Sequence, residues 1–208
     1  MSNFQSTKVI ELGSCAFRQP NAIDTRCSLL HGYKLTAKFW FDCNELDNKN
    51  WVVNFGGLKE LKARLQEQFD HTTCLAADDP LLPLFKQLHD AGGCDLRIMP
   101  NGVGIERTAE FCYTLADKMI REQTNNRCWV SKVEVFEHEA NSAIYAPVIP
   151  FNKEADFIQT VNNQPELVAE PIPATLNVAR SSNSVPAPIT NPVTHGKGNW
   201  FAGTTWES

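Results

Sequence analysis

The segment WVSKVEVFEHE, from Trp129 to Glu139, predicts a long β-strand in which one residue breaks the pattern. Side chains alternate between the two faces of a strand, so Val133, Val135 and Glu137 share one face. Glu137 therefore extends an apolar row, where an unpaired carboxylate costs several kcal/mol. Two interpretations remain open. Either the strand leaves the core here and Glu137 is solvated, or Glu137 binds a ligand that offers matching hydrogen-bond donors.

The patterns around this strand predict an α+β domain. Two further strands cover Lys8 to Phe17 and Tyr33 to Cys43, and Leu58, Leu61, Leu65 and Phe69 recur at helical spacing. The remaining predicted elements are a short helix over Leu84 to Ala91, a strand over Asp95 to Met99, a helix over Thr108 to Glu122, and a last strand over Ser142 to Tyr145. This order is typical of an antiparallel sheet with helices on one face.

The composition divides the chain near Pro147. All seven cysteines precede this residue, whereas eight of the twelve prolines lie between Pro147 and Pro192. We therefore predict a folded domain over residues 1–146 and an extended, proline-rich tail over residues 147–208. The tail ends in HGKGNWFAGTTWES, and its aromatic side chains suggest docking on a neighbouring subunit or another protein. A solvated tail is the alternative.

Charge and hydropathy exclude several classes of protein. A formal net charge of −5 without a basic block argues against nucleic-acid binding. No run of 18 apolar residues and no secretion signal is present, so we expect no membrane association and a cytoplasmic location. The odd number of cysteines, without a CxxC pair, predicts reduced thiols, most of them in the core.

Four local clusters carry residues that can do chemistry: Cys27 with His31, Asp70 with His71, Thr108 with Glu110, and Glu137 alone. Each also has a structural interpretation. Cys27 could be a core thiol and His31 a turn residue, and the Asp-His pair could cap the preceding helix. Thr108 could be the N-cap of its own helix. Taken singly, these residues do not establish a function.

Taken in order, they resemble a family. The segments SCAFRQPN, CSLLHGY, NFGGLKELKARLQEQFDHTTCLA, ERTAEF and VEVFEHEANSAIYA are similar to the 6-pyruvoyl-tetrahydropterin synthase and 6-carboxytetrahydropterin synthase family, over about residues 8 to 146. The resemblance implies the tunnelling fold, or T-fold. It also implies a homo-oligomeric ring, commonly a hexamer, with active sites between protomers. The tail lies outside the resemblance.

The resemblance also implies roles for the clustered residues. Glu137 would grip the 2-amino and ring N–H groups of a pterin or purine-like ring, with Thr108 and Glu110 beside that pocket. Cys27 would act as the catalytic base, and Asp70 with His71 as a proton relay. These roles are chemically consistent, because an adjacent imidazole activates a thiolate and a carboxylate fixes the tautomer of an imidazole.

The metal site departs from the family pattern. Family members bind zinc through three histidines, of which this chain keeps His31, while Phe17 and Tyr33 occupy the other two positions. A phenyl ring cannot bind a metal, and a neutral phenol is a poor zinc ligand. We therefore expect a degenerate site that does not hold zinc tightly. Regrouping of Cys15, Cys27 and His71 around His31 is the alternative.

Two functions remain open at this point. One is a 6-carboxytetrahydropterin synthase-like lyase acting on dihydroneopterin triphosphate, on the route to queuosine and other 7-deazaguanine bases. The other is a non-catalytic T-fold oligomer, which binds a pterin or purine or joins a larger assembly through its tail. The retained Cys27, Asp70, His71 and Glu137 favour the enzyme, and the lost zinc ligands favour the second function.

Overall fold

The computed structural model describes residues 3–147, which form one sheet with helices packed against it. The elements along the chain are β1 (Phe4–Phe17), β2 (His31–Cys43), α1 (Lys59–Phe69), β3 (Thr72–Ala76), α2 (Leu82–Asp90), β4 (Leu96–Met99), α3 (Ile105–Thr124), β5 (Cys128–His138) and β6 (Asn141–Tyr145). Short 3-10 helices cover Arg26–Ser28 and Phe55–Leu58. The predicted tail and its docking segment lie outside the described residues.

The six strands form one mixed sheet in the order β4-β3-β1-β2-β5-β6. The pairs β1-β2, β2-β5 and β5-β6 are antiparallel, but β1-β3 and β3-β4 are parallel. The prediction of an antiparallel sheet was therefore wrong for one half, because the strand β3 was not predicted. All five residues of β3 are buried, so its sequence carries no alternation of polar and apolar residues.

Two β-bulges set the register of the long strands. In β1 the pairing with β2 shifts between Glu11 and Gly13, and in β5 it shifts beside Val130. A bulge adds one residue to one strand, so side chains three apart can point to the same face. This explains why Val130 and Val133 are both buried.

The core lies between one face of the sheet and two helices. Helix α1 packs against β1, α3 packs against β2, β5 and β6, and the two helices contact each other. Leu35, Ala37, Phe39 and Phe41 of β2 are fully buried, as their alternation predicted. The helical row Leu58, Leu61, Leu65 and Phe69 is buried as well. The helices therefore share one face, and the opposite face of β2 carries polar side chains and Trp40.

Other sequence predictions can be compared directly. All seven cysteines are free thiols, and five of them are buried. Within the described part of the chain, no helix is both long enough and apolar enough to cross a membrane.

Candidate functional site

The Asp70–His71 pair is built where α1 ends. The N–H of Asp70 donates to Gln66 O, which closes the helix, and His71 then takes the left-handed conformation with φ 58°. This turn brings His71 Nδ1 to 2.9 Å from Asp70 Oδ1. The imidazole is 86% exposed and bonds to no carbonyl of α1. The pair therefore has the geometry of a proton relay that faces outward, rather than of a side-chain cap.

The carboxylate of Asp70 is held by the bulge in β1. Ser14 N–H donates to Asp70 Oδ1 at 3.0 Å, and His71 N–H donates to Ser14 O at 2.7 Å. The Ser14 N–H, assisted by the neighbouring imidazole, lowers the pKa of Asp70. Gly13 makes this approach possible, since a Cβ atom there would overlap the carboxylate. The bulge thus keeps Asp70 ionised and oriented toward His71.

Cys27 lies in the loop between β1 and β2, on the short 3-10 helix Arg26–Ser28. Its N–H donates to the Thr25 hydroxyl at 3.1 Å, and its carbonyl accepts from Gln19 N–H at 2.8 Å. The residue is half-buried, so it is not a core thiol. Among the described residues the thiol makes no hydrogen bond, and the structure does not join it to Asp70 or His71 of the same chain.

The three positions that hold zinc in the family come together in space. The ring centroids of Phe17 and His31 are 4.9 Å apart, those of His31 and Tyr33 are 5.6 Å apart, and those of Phe17 and Tyr33 are 6.2 Å apart. The pairing of β1 with β2 produces this cluster, because Phe17 lies directly opposite His31. We refer to Phe17, His31 and Tyr33 as the ring cluster.

The side chains of the ring cluster do not fit a zinc ion. His31 Nδ1 lies 2.7 Å from Leu29 O, so Nδ1 carries the proton and donates to that carbonyl. Nε2 is then the one nitrogen of the cluster that could bind a metal. The replacement ligands suggested for the metal do not surround His31 either. Cys15, for example, contacts the buried thiol of Cys74 at 3.5 Å. Among residues 3–147, no group of three His, Cys, Asp or Glu side chains has a geometry suited to a metal ion.

Glu137 lies at the end of β5, where the pairing with β6 is irregular between Phe136 and His138. Its side chain is 17% exposed, so most of it is buried. One carboxylate oxygen accepts from Asn141 Nδ2 at 2.8 Å and lies 3.7 Å from His138 Nε2. Within the described residues it has no lysine or arginine partner. Glu137 is one of the residues that line an open depression, together with Lys34, Thr36, Phe136, His138 and Glu139.

Thr108 and Glu110 lie on α3 and are engaged within the chain. Gly104 is the N-cap of the helix, so the interpretation of Thr108 as N-cap was wrong. The buried Thr108 hydroxyl donates to Gly104 O at 3.0 Å, and Glu110 pairs with Arg107 at 2.7 Å. Neither side chain bonds to Glu137 within the part of the chain that the structure describes.

A buried ion pair beside Cys27 was not predicted from the sequence. Arg18 Nη1 lies 2.6 Å from Asp79 Oδ1, and the two side chains are 12% and 0% exposed. The two residues are 61 positions apart and lie just beyond the ends of β1 and β3. Those strands are parallel neighbours, and because β3 was not predicted, nothing in the sequence placed Arg18 near Asp79.

Comparison with known proteins agrees with this fold. The family model of 6-pyruvoyl tetrahydropterin synthase matches residues 9–147. An uncharacterised protein of Wolinella succinogenes, WS1659, superposes with a TM-score of 0.58 at 19% identity, over 70% of this chain and 99% of that protein. The 6-pyruvoyl tetrahydropterin synthase of Plasmodium falciparum superposes with a TM-score of 0.52 at 16% identity, over 72% of this chain and all of that protein. No curated protein matches the sequence.

The family model spans most of β1 and all of the later strands, and it includes the Asp70–His71 pair, the ring cluster and Glu137. It therefore covers well over half of the chain, and the superpositions show the same α+β T-fold. The chain belongs to the 6-pyruvoyl tetrahydropterin synthase family.

Proposed function

We propose that the protein is a tetrahydropterin synthase-like enzyme, specifically a 6-carboxytetrahydropterin synthase-like lyase acting on dihydroneopterin triphosphate. The observation that carries this proposal is the Asp70–His71 pair. Its carboxylate is held by a backbone N–H, and its imidazole is left exposed in a left-handed turn. Strained backbone of this kind persists where the surrounding structure over-determines it, often at functional sites.

Glu137 would hold the ring of the substrate. Its carboxylate is largely buried, and its partner Asn141 is a neutral amide. A pterin offers a 2-amino group and a ring N–H side by side, so both carboxylate oxygens could accept from it at once. Such a pairing would compensate the cost of desolvating the carboxylate, which a single amide satisfies in part.

The proton transfers would be made by Cys27 and His71. As a thiolate, Cys27 would remove a carbon-bound proton from the substrate side chain and become a thiol. His71, oriented through Nδ1 by Asp70, would exchange a proton at Nε2 with a side-chain oxygen. Because the ring cluster does not fit zinc, no step in this proposal uses a metal. We therefore expect slow turnover, since acid–base catalysis contributes about 10²–10⁴-fold.

An oligomer would bring these groups together. The exposed His71 does not contact Cys27 of the same chain among the described residues, so the two would meet across a subunit boundary. This agrees with the expected homo-oligomeric ring, with sites between protomers. Two protomers would then complete each site, and a monomer would be inactive.

A second candidate is a non-catalytic T-fold oligomer that binds a pterin or purine. The ring cluster favours it, because three packed rings replace a metal site that would polarise the substrate. This candidate keeps the role of Glu137 and gives none to Cys27 or His71. Loss of the proton-transfer groups would then leave every property of the protein except its stability unchanged.

Turnover of dihydroneopterin triphosphate distinguishes the two candidates. The assembled full-length protein, without added metal, should convert it, and Cys27→Ser and His71→Asn should each lower kcat by about 10² or more. Cys94→Ser is the matched control, because this second half-buried thiol has no role in the proposal and donates to Phe85 O at 3.9 Å. Absence of turnover in the wild type, with binding of the pterin ring retained, would reject the enzyme and support the non-catalytic oligomer.

A further inference from the structure

A buried ion pair ties the loop that carries Cys27 to the rest of the fold. Asp79 Oδ1 accepts from Arg18 Nη1 at 2.6 Å and from Leu81 N–H at 2.8 Å. The Asp79 side chain is completely buried. Its other oxygen, Oδ2, has no hydrogen-bond partner among the residues that the structure describes. Asp79 therefore presents its charge to Arg18 and fixes the direction of the guanidinium.

A second N–H group of the guanidinium donates to the loop that carries Cys27. Arg18 Nε donates to Ser28 O at 2.9 Å, and the N–H of the next residue, Gln19, donates to Cys27 O at 2.8 Å. Two consecutive residues after β1 thus hold two consecutive carbonyls, those of Cys27 and Ser28. A planar guanidinium suits this task because its donors diverge at fixed angles. The position of the Cys27 backbone therefore depends on the orientation of Arg18.

Few other contacts hold the loop, among them the side chain of Gln19, which lies against Gly104 at the start of α3. Within residues 3–147, the other bonds of residues 19–30 are local to the loop, apart from the contact of Leu29 with His31 at its end. Apolar burial does not hold it either, since Ile23 is 85% exposed and Leu29 is 63% exposed. A loop with few buried contacts opens readily unless a specific bond restrains it. The Arg18–Asp79 pair supplies that restraint.

We propose that Arg18 and Asp79 are positioning residues that hold Cys27 in place for proton abstraction. The role given to Cys27 rests on the proposed function, whereas the restraint on the loop does not. A buried ion pair is weak evidence for stability, because desolvation offsets most of the attraction. Asp79 Oδ2 has no hydrogen-bond partner among the described residues, as expected if the pair orients Arg18 rather than stabilises the fold.

The reactivity of Cys27 toward iodoacetamide tests the restraint, and Cys94 serves as the internal reference thiol. The variants are Arg18→Gln, Arg18→Lys and Asp79→Asn, with rates measured separately for each thiol by peptide mass spectrometry. Arg18→Lys keeps the positive charge beside Asp79 but cannot also hold the Ser28 carbonyl. Arg64→Gln is the control variant, because it removes an exposed ion pair with Glu60 and touches no part of the loop.

In all three variants at Arg18 and Asp79, alkylation of Cys27 should become about tenfold faster, because the loop opens more often. Alkylation of Cys94 should stay unchanged, and Arg64→Gln should change neither rate. Equal acceleration of both thiols would show a general loss of stability and overturn the proposal, as would unchanged rates.

Steady-state kinetics separates this inference from the proposed function. If the enzyme turns over, Arg18→Lys should lower kcat and leave KM nearly unchanged, because Glu137 still holds the ring. If the labelling result is obtained and the wild type shows no turnover, the restraint on the loop stands and the proposed function fails. If kcat falls while the labelling of Cys27 is unchanged, Arg18 acts in another way and the positioning role is wrong.

Discussion

Substitution of Gly13 by alanine tests whether the bulge in β1 exists to admit Asp70. Gly13 has φ +109°, which L-residues rarely adopt, and an added Cβ would overlap the Asp70 carboxylate. The strained backbone should cost about 1–3 kcal/mol. Displacing packed atoms should cost about 1–3 kcal/mol more. We therefore expect Gly13→Ala to lower the free energy of unfolding by roughly 2–6 kcal/mol.

Gly92→Ala separates the two contributions. Gly92 also has a positive φ, +76°, but nothing lies within 4 Å of its added Cβ. It should therefore show the backbone contribution without the overlap. Urea unfolding of both variants, followed by circular dichroism, gives the difference. A third variant, Gly13→Ala combined with Asp70→Gly, should recover the overlap contribution, because the carboxylate and the Cβ of residue 70, both of which the added Cβ would meet, are then absent.

Equal destabilisation by Gly13→Ala and Gly92→Ala would refute this reasoning. So would a combined variant whose loss is the sum of the losses of Gly13→Ala and Asp70→Gly measured separately, since residues in contact should show a coupling energy. Either result would mean that the bulge and the relay are independent features. Asp70 would then be held by Ser14 without any need for a glycine beside it.

Three further predictions concern the metal, the thiols and the tail. Elemental analysis after dialysis against a mild chelator should find much less than one zinc per chain, since two expected ligand positions carry carbon rings; stoichiometric zinc would contradict this. A thiol reagent should reach at most Cys27 and Cys94 in the native protein and all seven cysteines after unfolding, because the other five are buried; rapid titration of more than two cysteines would contradict the burial of those five. A chain stopped at Pro150 should keep the same number of subunits by light scattering. With Trp40, Trp51 and Trp129 replaced, Trp200 and Trp206 of the full chain should emit at short wavelength if the tail docks; fully red-shifted emission would show a solvated tail.

The sequence predicts β2 and α1 well because the apolar residues of each recur without interruption at the spacing of a strand or of a helix. The row of β2 and the row of α1 repeat four times each, and all eight side chains are buried. The places of Asp70, His71 and Glu137 follow from position along such elements, whereas the roles proposed for Asp70 and His71 come from the resemblance to the family. Asp70 and His71 come directly after the last turn of α1, and Glu137 comes two residues after Val135.

The features that the sequence does not predict depend on contacts between distant residues. The strand β3 is short and buried on both faces, so its parallel pairing with β1 is visible only in the folded chain. The Arg18–Asp79 pair exists because of that pairing. Similarly, threonine is a common N-cap residue, but α3 begins at Ile105, three residues before Thr108. The Thr108 hydroxyl instead donates to Gly104 O within the first turn.

The inward face of α3 shows the same limit. Phe111, Leu115 and Ile120 have helical spacing, and the sequence predicts that they face the core. Ile120 is buried, while Phe111 and Leu115 are half-buried at the edge of the core. Small side chains fill the centre of the contact instead, namely Ala109, Cys112 and Ala116. Close packing of α3 on the sheet requires small residues, and hydrophobicity alone does not rank them first.

Calorimetric titration of the assembled protein with sepiapterin or a dihydropterin tests whether Glu137 holds a pterin ring. Glu137→Gln should weaken binding by about 1.5–3 kcal/mol, or roughly 10- to 150-fold, the range for a hydrogen bond to a charged group. Glu134→Gln is the matched control, because this carboxylate lies on the same strand and bonds to Ser142 at 2.7 Å. Weaker binding in Glu137→Gln with unchanged binding in Glu134→Gln is the predicted result. Equal affinity in the wild type and Glu137→Gln, or no binding to either, would contradict the account.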